Sequence, residues 1–276
     1  MYKIIAKEII NDLVQKMVIK APFVARKCQP GQFIIIIPRE GGERIPLTVT
    51  DFDREKELVT VIFQMLGEST RFLGTLKAGD TVPDFVGPLG VPTHLSKHKK
   101  VLGIGGGVGA APLYPQMKAL AENGTEVDII IGGKTKEFCI LGDDFKVFAK
   151  NIYYATNDGS LGEKGFVTDV LNRLISEGKQ YDEIFAIGPL IMMKAVVEIT
   201  KKLNIPTSVS LNPLMIDGTG MCGCCRVTVN GETKFACVDG PDFDGFSVDF
   251  DEAMVRQTYY KDEEQKSHRC NLDNYK

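Results

Sequence analysis

Four of the seven cysteines, Cys222, Cys224, Cys225 and Cys237, fall within a short stretch that also holds Gly218, Gly220 and Gly223. Crowded thiols among glycines suit an inorganic centre, because the glycines let the backbone bend tightly and bring its N–H groups near charged sulfur. The segment between Cys225 and Cys237 alternates in strand fashion about Asn230-Gly231, so a β-hairpin returns Cys237 to the loop. A plant-type [2Fe–2S] site has the spacing C-x4-C-x2-C with a distant fourth cysteine. Cys222, Cys225 and Cys237 supply three of these positions, and the interval before Cys222 lands on Asp217, a carboxylate in place of a thiolate. The expected metal ligands are therefore Asp217, Cys222, Cys225 and Cys237, with Cys224 turned away. Two readings stay open beside it. Cys224 can replace Asp217 in an all-thiolate set, leaving Asp217-Gly218 as a turn dipeptide. Zinc also takes four thiolates, although its sites usually present two separated C-x2-C knuckles and one is found here.

A second group of residues points to phosphate. Val101-Leu-Gly-Ile-Gly-Gly-Gly-Val-Gly-Ala-Ala-Pro112 reads as a strand entering a glycine loop and then a helix, where Gly105, Gly107 and Gly109 allow a dinucleotide pyrophosphate close to the backbone. The acidic residue usually found about twenty positions further on is replaced by Gly132-Gly133-Lys134, so a purely structural glycine turn stays open. Thr156-Asn-Asp-Gly-Ser160 and Gly188-Pro189 close two later strands, at the ends where a nicotinamide and its ribose would lie. Met192 and Met193 follow, as crevice lining or ordinary core. Earlier in the chain, Gly67-Glu-Ser-Thr70 opens a helix whose hydroxyls and N–H groups form an anion site, and Arg44-Ile-Pro-Leu-Thr48 pairs a cation with a strand-borne hydroxyl. Taken singly, a helix cap and a surface arginine account for these equally well.

The elements that must position these groups follow from pattern. Residues 1–97 are β-rich: Tyr2–Ile10, Leu13–Ala21, Phe33–Pro38, Pro46–Asp51 and Leu58–Met65 are separated by turn clusters, with Glu68–Thr75 as the one helix candidate. Such a run predicts a small antiparallel barrel. The basic stretch Lys97–Lys100 is the expected linker. Residues 98–212 alternate strands (Glu126–Ile131, Asn151–Ala155, Glu183–Ile187) with helices (one ending at Asn123, then Phe166–Ser176 and Ile191–Leu203), as in a doubly wound parallel sheet. Residues 213–250 form a small metal subdomain, and 251–276 a charged tail with Tyr259, Tyr260 and Cys270, read as a solvated helix or as cover for a subunit contact. The fold class is thus a β barrel plus α/β.

Composition limits the function. The chain has 276 residues and a formal charge of −3, which gives no reason to expect nucleic acid or an anionic membrane. No apolar run approaches a membrane span and the N-terminus lacks signal-peptide architecture, so a cytoplasmic protein without a membrane partner is expected. Clustered cysteines in odd number suit a reducing compartment. Cys28, Cys139 and Cys270 read as buried or incidental thiols. His94, His98 and His268 are expected to be exposed. No His/Asp/Ser or Cys/His constellation is present, and no catalytic side chain is assigned.

Taken together, the order R-x-P-L-T, G-x-S-T, GGGVGAAP, late Gly-Pro and metal loop resembles the ferredoxin-NADP reductase superfamily over about residues 1–250. Within it the chain is similar to dihydroorotate dehydrogenase electron-transfer subunits and to the small subunits of electron-bifurcating NADH-dependent reduced ferredoxin:NADP oxidoreductases. The resemblance implies an FAD-binding barrel in which Arg44, Pro46, Leu47, Thr48 and Phe63 meet the cofactor and Gly67, Ser69 and Thr70 hold its diphosphate. It implies that Gly105, Gly106, Gly107, Gly109, Thr156, Asp158, Gly188 and Pro189 take NAD(H). Orotate relatives carry cysteine at the first cluster position and the bifurcating subunits aspartate, so Asp217 favours the latter. Ile187 stands where many members have cysteine before the late Gly-Pro, and it receives no catalytic role. The cofactors implied are FAD, a [2Fe–2S] cluster and NAD(H), with NAD over NADP, although Lys134 and Lys136 follow the second nucleotide-domain strand where cations meet a 2′-phosphate. The partner implied is a larger flavoprotein or iron–sulfur subunit, with ferredoxin served indirectly through it. Alternatives are the orotate system and a non-catalytic metal-binding adaptor.

Overall fold

The computed structural model describes residues 1–263 and Lys266. The N-terminal region builds seven strands: β1 (Tyr2–Ile9), β2 (Val14–Lys20), β3 (Phe33–Ile37), β4 (Ile45–Asp53), β5 (Leu58–Gln64), β6 (Thr81–Val82) and β7 (Asp84–Leu89). They form one antiparallel sheet in the order β6-β1-β2-β5-β4-β3-β7. Its edge strands β6 and β7 are separated in sequence by Pro83 alone, so the sheet must curl until its edges meet. Helix α1 (Pro22–Lys27), with proline in its first turn, is a second helix that strand patterning did not predict. Helix α2 (Glu68–Thr75) lies where expected.

Strand β3 is Phe-Ile-Ile-Ile-Ile, apolar on both faces, and it has two cores to fill. Ile34 and Ile36 point into the barrel with Met17, Val61 and Phe63. Phe33 and Ile35 point outward, into a small core with Met215, Cys225, Ala236 and Cys237. An unbroken apolar run means that both faces are covered, and here the outer cover is the cysteine-rich loop.

The second sheet comprises β8 (Lys100–Gly106), β9 (Glu126–Gly133), β10 (Asn151–Thr156), β11 (Glu163–Lys164), β12 (Glu183–Ile187) and β13 (Thr207–Ser210), all parallel, with β16 (Asp242–Asp244) antiparallel at its edge. The order is β11-β10-β9-β8-β12-β13-β16. The chain winds outward from β8 in one direction, returns to β12 and winds outward in the other. The crevice between the carboxyl ends of β8 and β12 is therefore the topological switch point, where such sheets bind ligands. Helices α3 (Ala110–Glu122), the short α4 (Gly142–Phe145), α5 (Val167–Ser176) and α6 (Leu190–Lys202) complete this domain. Helix α5 buries Val167, Val170, Leu171 and Leu174, the i, i+3, i+4, i+7 stripe that a helix lying on a sheet requires.

The C-terminal region is not separate. A hairpin of β14 (Arg226–Val229) and β15 (Glu232–Phe235) turns at Asn230-Gly231, as expected. Strand β16 (Asp242–Asp244) then joins the nucleotide-domain sheet beside β13. Helix α7 (Phe250–Arg256) buries Phe250 and Ala253 in the same core as Leu190 and Val196, so the start of the presumed tail is a packed part of the domain rather than a solvated helix. Cys270, His268 and the end of that tail lie outside the described residues. Among the described residues no helix is long and apolar enough to cross a membrane. His94 is exposed, whereas His98, expected to be exposed, is half-buried with Nε2 2.8 Å from Glu183.

Candidate functional site

The cysteine loop is seated on the barrel. Gly218 has φ +83, and a Cβ there would lie 2.6 Å from Ile35 Cδ1 and 3.0 Å from Leu89 Cδ1, so only glycine lets the loop settle onto β3 and β7. Cys225 and Cys237 are both buried, with sulfurs 3.2 Å apart. Two thiolates on one tetrahedral metal, with bonds of about 2.3 Å, stand roughly 3.8 Å apart, so this pair is nearly poised for a shared metal atom. Burial pushes the Cys237 thiol up, and proximity to Cys225 adds to this.

Cys222 forms the other half. It is exposed, and the Cys224 and Asp217 backbones lower its pKa by hydrogen bonding to the sulfur. The Asp217 carboxylate is also held low, chiefly by the Thr219 hydroxyl; the Thr219 N–H donates to it at 2.9 Å and the Met221 N–H at 3.4 Å. Cys224 does not turn away as expected. Its thiol interacts with that of Cys222, which raises its pKa, so both Asp217 and Cys224 stand beside Cys222. Among the described residues no three His, Cys, Asp or Glu side chains converge as ligands of a single ion would. The loop offers a buried thiol pair, a second group around Cys222, and amides aimed at sulfur. That donor set fits a two-iron cluster with one pair of ligands per metal.

The expected flavin strand is one strand away. Pro46, Leu47 and Thr48 on β4 pair with Ile35, Ile34 and Phe33 on β3, the strand that carries the cysteine loop on its outer face. All three are half-buried. Phe63 is 1% exposed inside the barrel, so its ring presents no face to a ligand as the barrel stands. Thr70 caps α2, its hydroxyl accepting from the Leu66 and Gly67 N–H groups at 3.1 Å each. Ser69 donates to the Glu43 carboxylate, which thus occupies the anion position expected for a phosphate. Arg44 turns away from that position and donates through Nε to the Ile216 carbonyl at 2.6 Å and through Nη2 to the Asp217 carbonyl at 3.1 Å. Sequence reasoning missed this contact, because nothing local to Arg44 signals a partner so distant in the chain.

In the nucleotide crevice, most of the glycines serve close packing. A Cβ on Gly109 would lie 2.2 Å from the Ile187 carbonyl oxygen, one on Gly105 2.9 Å from Ala110 Cα, and one on Gly106 2.4 Å from Met192 Sδ. A Cβ on Gly188 would lie 3.1 Å from Gly106 Cα, and one on Gly106 3.1 Å from Pro189 Cδ. Gly107 differs: its φ is +57 and a Cβ there would meet nothing within 4 Å, so it faces open space. Met192 lines the crevice and Met193 is core. Thr156, expected at the nucleotide, is fully buried, and its hydroxyl is spent on the Leu161 carbonyl at 2.9 Å and N–H at 3.1 Å. Asp158 stays exposed at the turn that Thr156 closes, held low mainly by the Ser160 hydroxyl. Lys134 and Lys136 are exposed nearby. Cys28 and Cys139 are sheltered thiols, pushed up by burial to about 12 and about 11, as unreactive cysteines are.

Comparison with known proteins matches two of these regions to family models. Residues 212–249 match the iron-sulfur cluster binding domain of dihydroorotate dehydrogenase B, and residues 104–198 the oxidoreductase NAD-binding domain. A Thermotoga maritima protein described as a homolog of the dihydroorotate dehydrogenase B (NAD(+)) electron transfer subunit is 45% identical, covering 94% of each chain. The electron transfer subunit of that enzyme from Fusobacterium nucleatum is 36% identical over 82% of this chain and 89% of its own. A chain from the NADH-dependent reduced ferredoxin-NADP oxidoreductase structure, solved in a study of flavin-based electron bifurcation, superposes with a TM-score of 0.93 at 43% identity, covering 99% of this chain and 98% of its own.

Proposed function

Because the chain belongs to the family of dihydroorotate dehydrogenase B electron-transfer subunits and their homologues, we propose that it exchanges hydride between NAD(H) and FAD and relays single electrons through a [2Fe–2S] cluster to a larger flavoprotein subunit. It is an oxidoreductase of the ferredoxin-NADP reductase type, with an NAD-binding domain and an iron–sulfur domain. The observation that carries the proposal is the shared core of Phe33, Ile35, Cys225 and Cys237, which sets the cluster loop on the strand paired with Pro46, Leu47 and Thr48. When bound, FAD joins two-electron hydride chemistry to the one-electron chemistry of iron and sulfur.

The chain's own residues bind, orient and exclude water. The switch-point glycines close β8 on β12 and leave Gly107 to face the dinucleotide. Pro46, Leu47 and Thr48 would hold the flavin ring, and the N-terminus of α2 would offer Ser69 and Thr70 to the diphosphate in the place that Glu43 takes beside Ser69. Phe33 and Ile35 seal the inner thiol pair from solvent, while Cys222 stays exposed among Leu214, Ile216, Met221 and Val238, each at least 41% exposed. Those apolar side chains suit a face that docks on the partner subunit.

Asp217 at the first ligand position favours the bifurcating system over the orotate one, and the bifurcating oxidoreductase chain, at 43% identity, is more similar than the Fusobacterium nucleatum orotate subunit, at 36%. In that assignment the partner oxidises NADPH and reduces ferredoxin, and this subunit reduces NAD. A visible spectrum with metal analysis tests the cofactors: flavin bands, two irons per chain and no stoichiometric zinc are expected, and a colourless protein would leave a metal-binding adaptor instead. Identification of the co-purifying subunit and of its activity with NADPH or dihydroorotate separates the two enzyme systems.

A further inference from the structure

We propose that Arg44 and Arg256, donated by two different domains, clamp the two ends of the cluster loop as positioning residues that set iron retention and the cluster's reduction potential. The proposal rests on the cluster reading above. Arg44 lies immediately before β4, yet its guanidinium crosses to the C-terminal region and binds the Ile216 and Asp217 carbonyls at 2.6 and 3.1 Å. Arg256 reaches back from α7 to the Cys224 carbonyl at 3.3 Å, and its Nε is buried without a protein partner. A third guanidinium, that of Arg226 within the loop itself, donates to the Gly223 carbonyl at 2.6 Å. The three cations thus hold the carbonyls of residues 216, 217, 223 and 224, which bracket Cys222.

Charge accounting gives the arrangement a purpose. Two ferric irons, two sulfides and four anionic ligands sum to a dianion, and reduction by one electron adds a further negative charge. In the loop from Leu214 to Arg226, Arg226 is the single basic side chain and Asp217 the single acid. Cations brought in from the residue before β4 and from α7 offset the dianion and favour its reduced form, since net charge and hydrogen bonding set iron–sulfur potentials. The planar fork of Arg44 also fixes two adjacent carbonyls at once, which a lysine point charge cannot do. The backbone of Asp217, and with it the direction of its carboxylate, is thereby tied to the strand expected to carry the flavin.

The experiment compares holoprotein with the R44Q, R44K and R256Q variants, each assayed for iron and FAD content, iron loss to a chelator, low-temperature EPR of the reduced cluster and midpoint potential by EPR-monitored titration. R44Q and R256Q are expected to lose iron faster by roughly 10–100-fold, the range for outer-shell partners of a metal site, and to shift the midpoint to more negative potential. R44K is expected to recover most of the potential, because it keeps the charge, but not the iron retention. Unchanged EPR, iron retention and potential in R44Q and R256Q, with only FAD lost from R44Q, would confine Arg44 to the flavin and overturn the clamp. If the unsubstituted protein holds no two-iron cluster, the underlying assignment fails as well, and that outcome is read from the parent protein alone.

Discussion

Replacing Gly109 by alanine tests whether the switch point is closed by backbone packing. The new Cβ would lie 2.2 Å from the Ile187 carbonyl oxygen and 2.8 Å from Gly188 Cα, and ordinary contact begins at 3.4 Å. Both opposing atoms are backbone, so no rotamer relieves the clash and the loop after β8 must withdraw from the end of β12 by about an ångström. Overpacking of this kind costs roughly 1–3 kcal/mol, and at roughly 2–4 °C per kcal/mol for a chain of this size the melting temperature should fall by about 2–12 °C. The same displacement moves the dinucleotide subsite, and a misplacement of about 1 Å can cost on the order of 100-fold in rate. Gly107→Ala is the control for the thermal melts: its Cβ meets nothing in the protein, so the stability cost is the left-handed backbone alone, roughly 1–2 kcal/mol. The assay is anaerobic stopped-flow reduction of the bound flavin by NADH, alongside thermal melts. If Gly109→Ala keeps both its melting temperature and its rate within twofold of the parent, the packing argument is wrong.

Other outcomes follow from the same structure. Cys225→Ser and Cys237→Ser should each abolish iron binding while flavin stays bound, measured as iron per chain and flavin absorbance. Asp217→Ala should lose the cluster while Cys224→Ala keeps it; the reverse result in iron content and EPR would give the fourth position to Cys224. Asp128, fully buried against Lys100 at 3.1 Å, Asn151 at 2.7 Å and Tyr181 at 2.9 Å, loses its charge if changed to asparagine while Lys100 keeps Glu126 at 2.7 Å, at a cost of roughly 1–3 kcal/mol in thermal or denaturant unfolding. Burial raises the Asp242 carboxyl, so the folded chain keeps that proton after the unfolded chain has released it, and this group's contribution to stability should decline as pH climbs above the ordinary aspartate value of about 4. Asp242→Asn should flatten that decline in melts recorded as a function of pH.

Much of the architecture was legible because periodicity and turn chemistry are local. The barrel strands, the β8 glycine loop, helix α5 and the Asn230-Gly231 hairpin all follow from short-range pattern, and the structure has each near its expected bounds. What escaped were features created by chain closure. The Phe33–Ile37 run signals a strand covered on both faces, but sequence alone does not say that the cover is the cysteine loop. Strand β16 is three residues long and finds its partner only because β13 offers an open edge. At the candidate site, residue type alone did not foretell the hydrogen-bond partners. Thr156 spends its hydroxyl inside its own turn on Leu161, whereas Ser69 meets Glu43 and Arg44 reaches Ile216 and Asp217 because loops from separate parts of the chain converge.

The central claim, that one polypeptide joins NAD(H) to an iron–sulfur relay through the barrel, is tested most directly by low-temperature EPR of the anaerobic holoprotein frozen after excess NADH, with a dithionite-reduced sample as the measure of total cluster. The account predicts the signal of a reduced two-iron cluster under dithionite and a fraction of it under NADH, lost in Cys225→Ser. Flavin bleaching with no paramagnetic cluster signal from either reductant would contradict it.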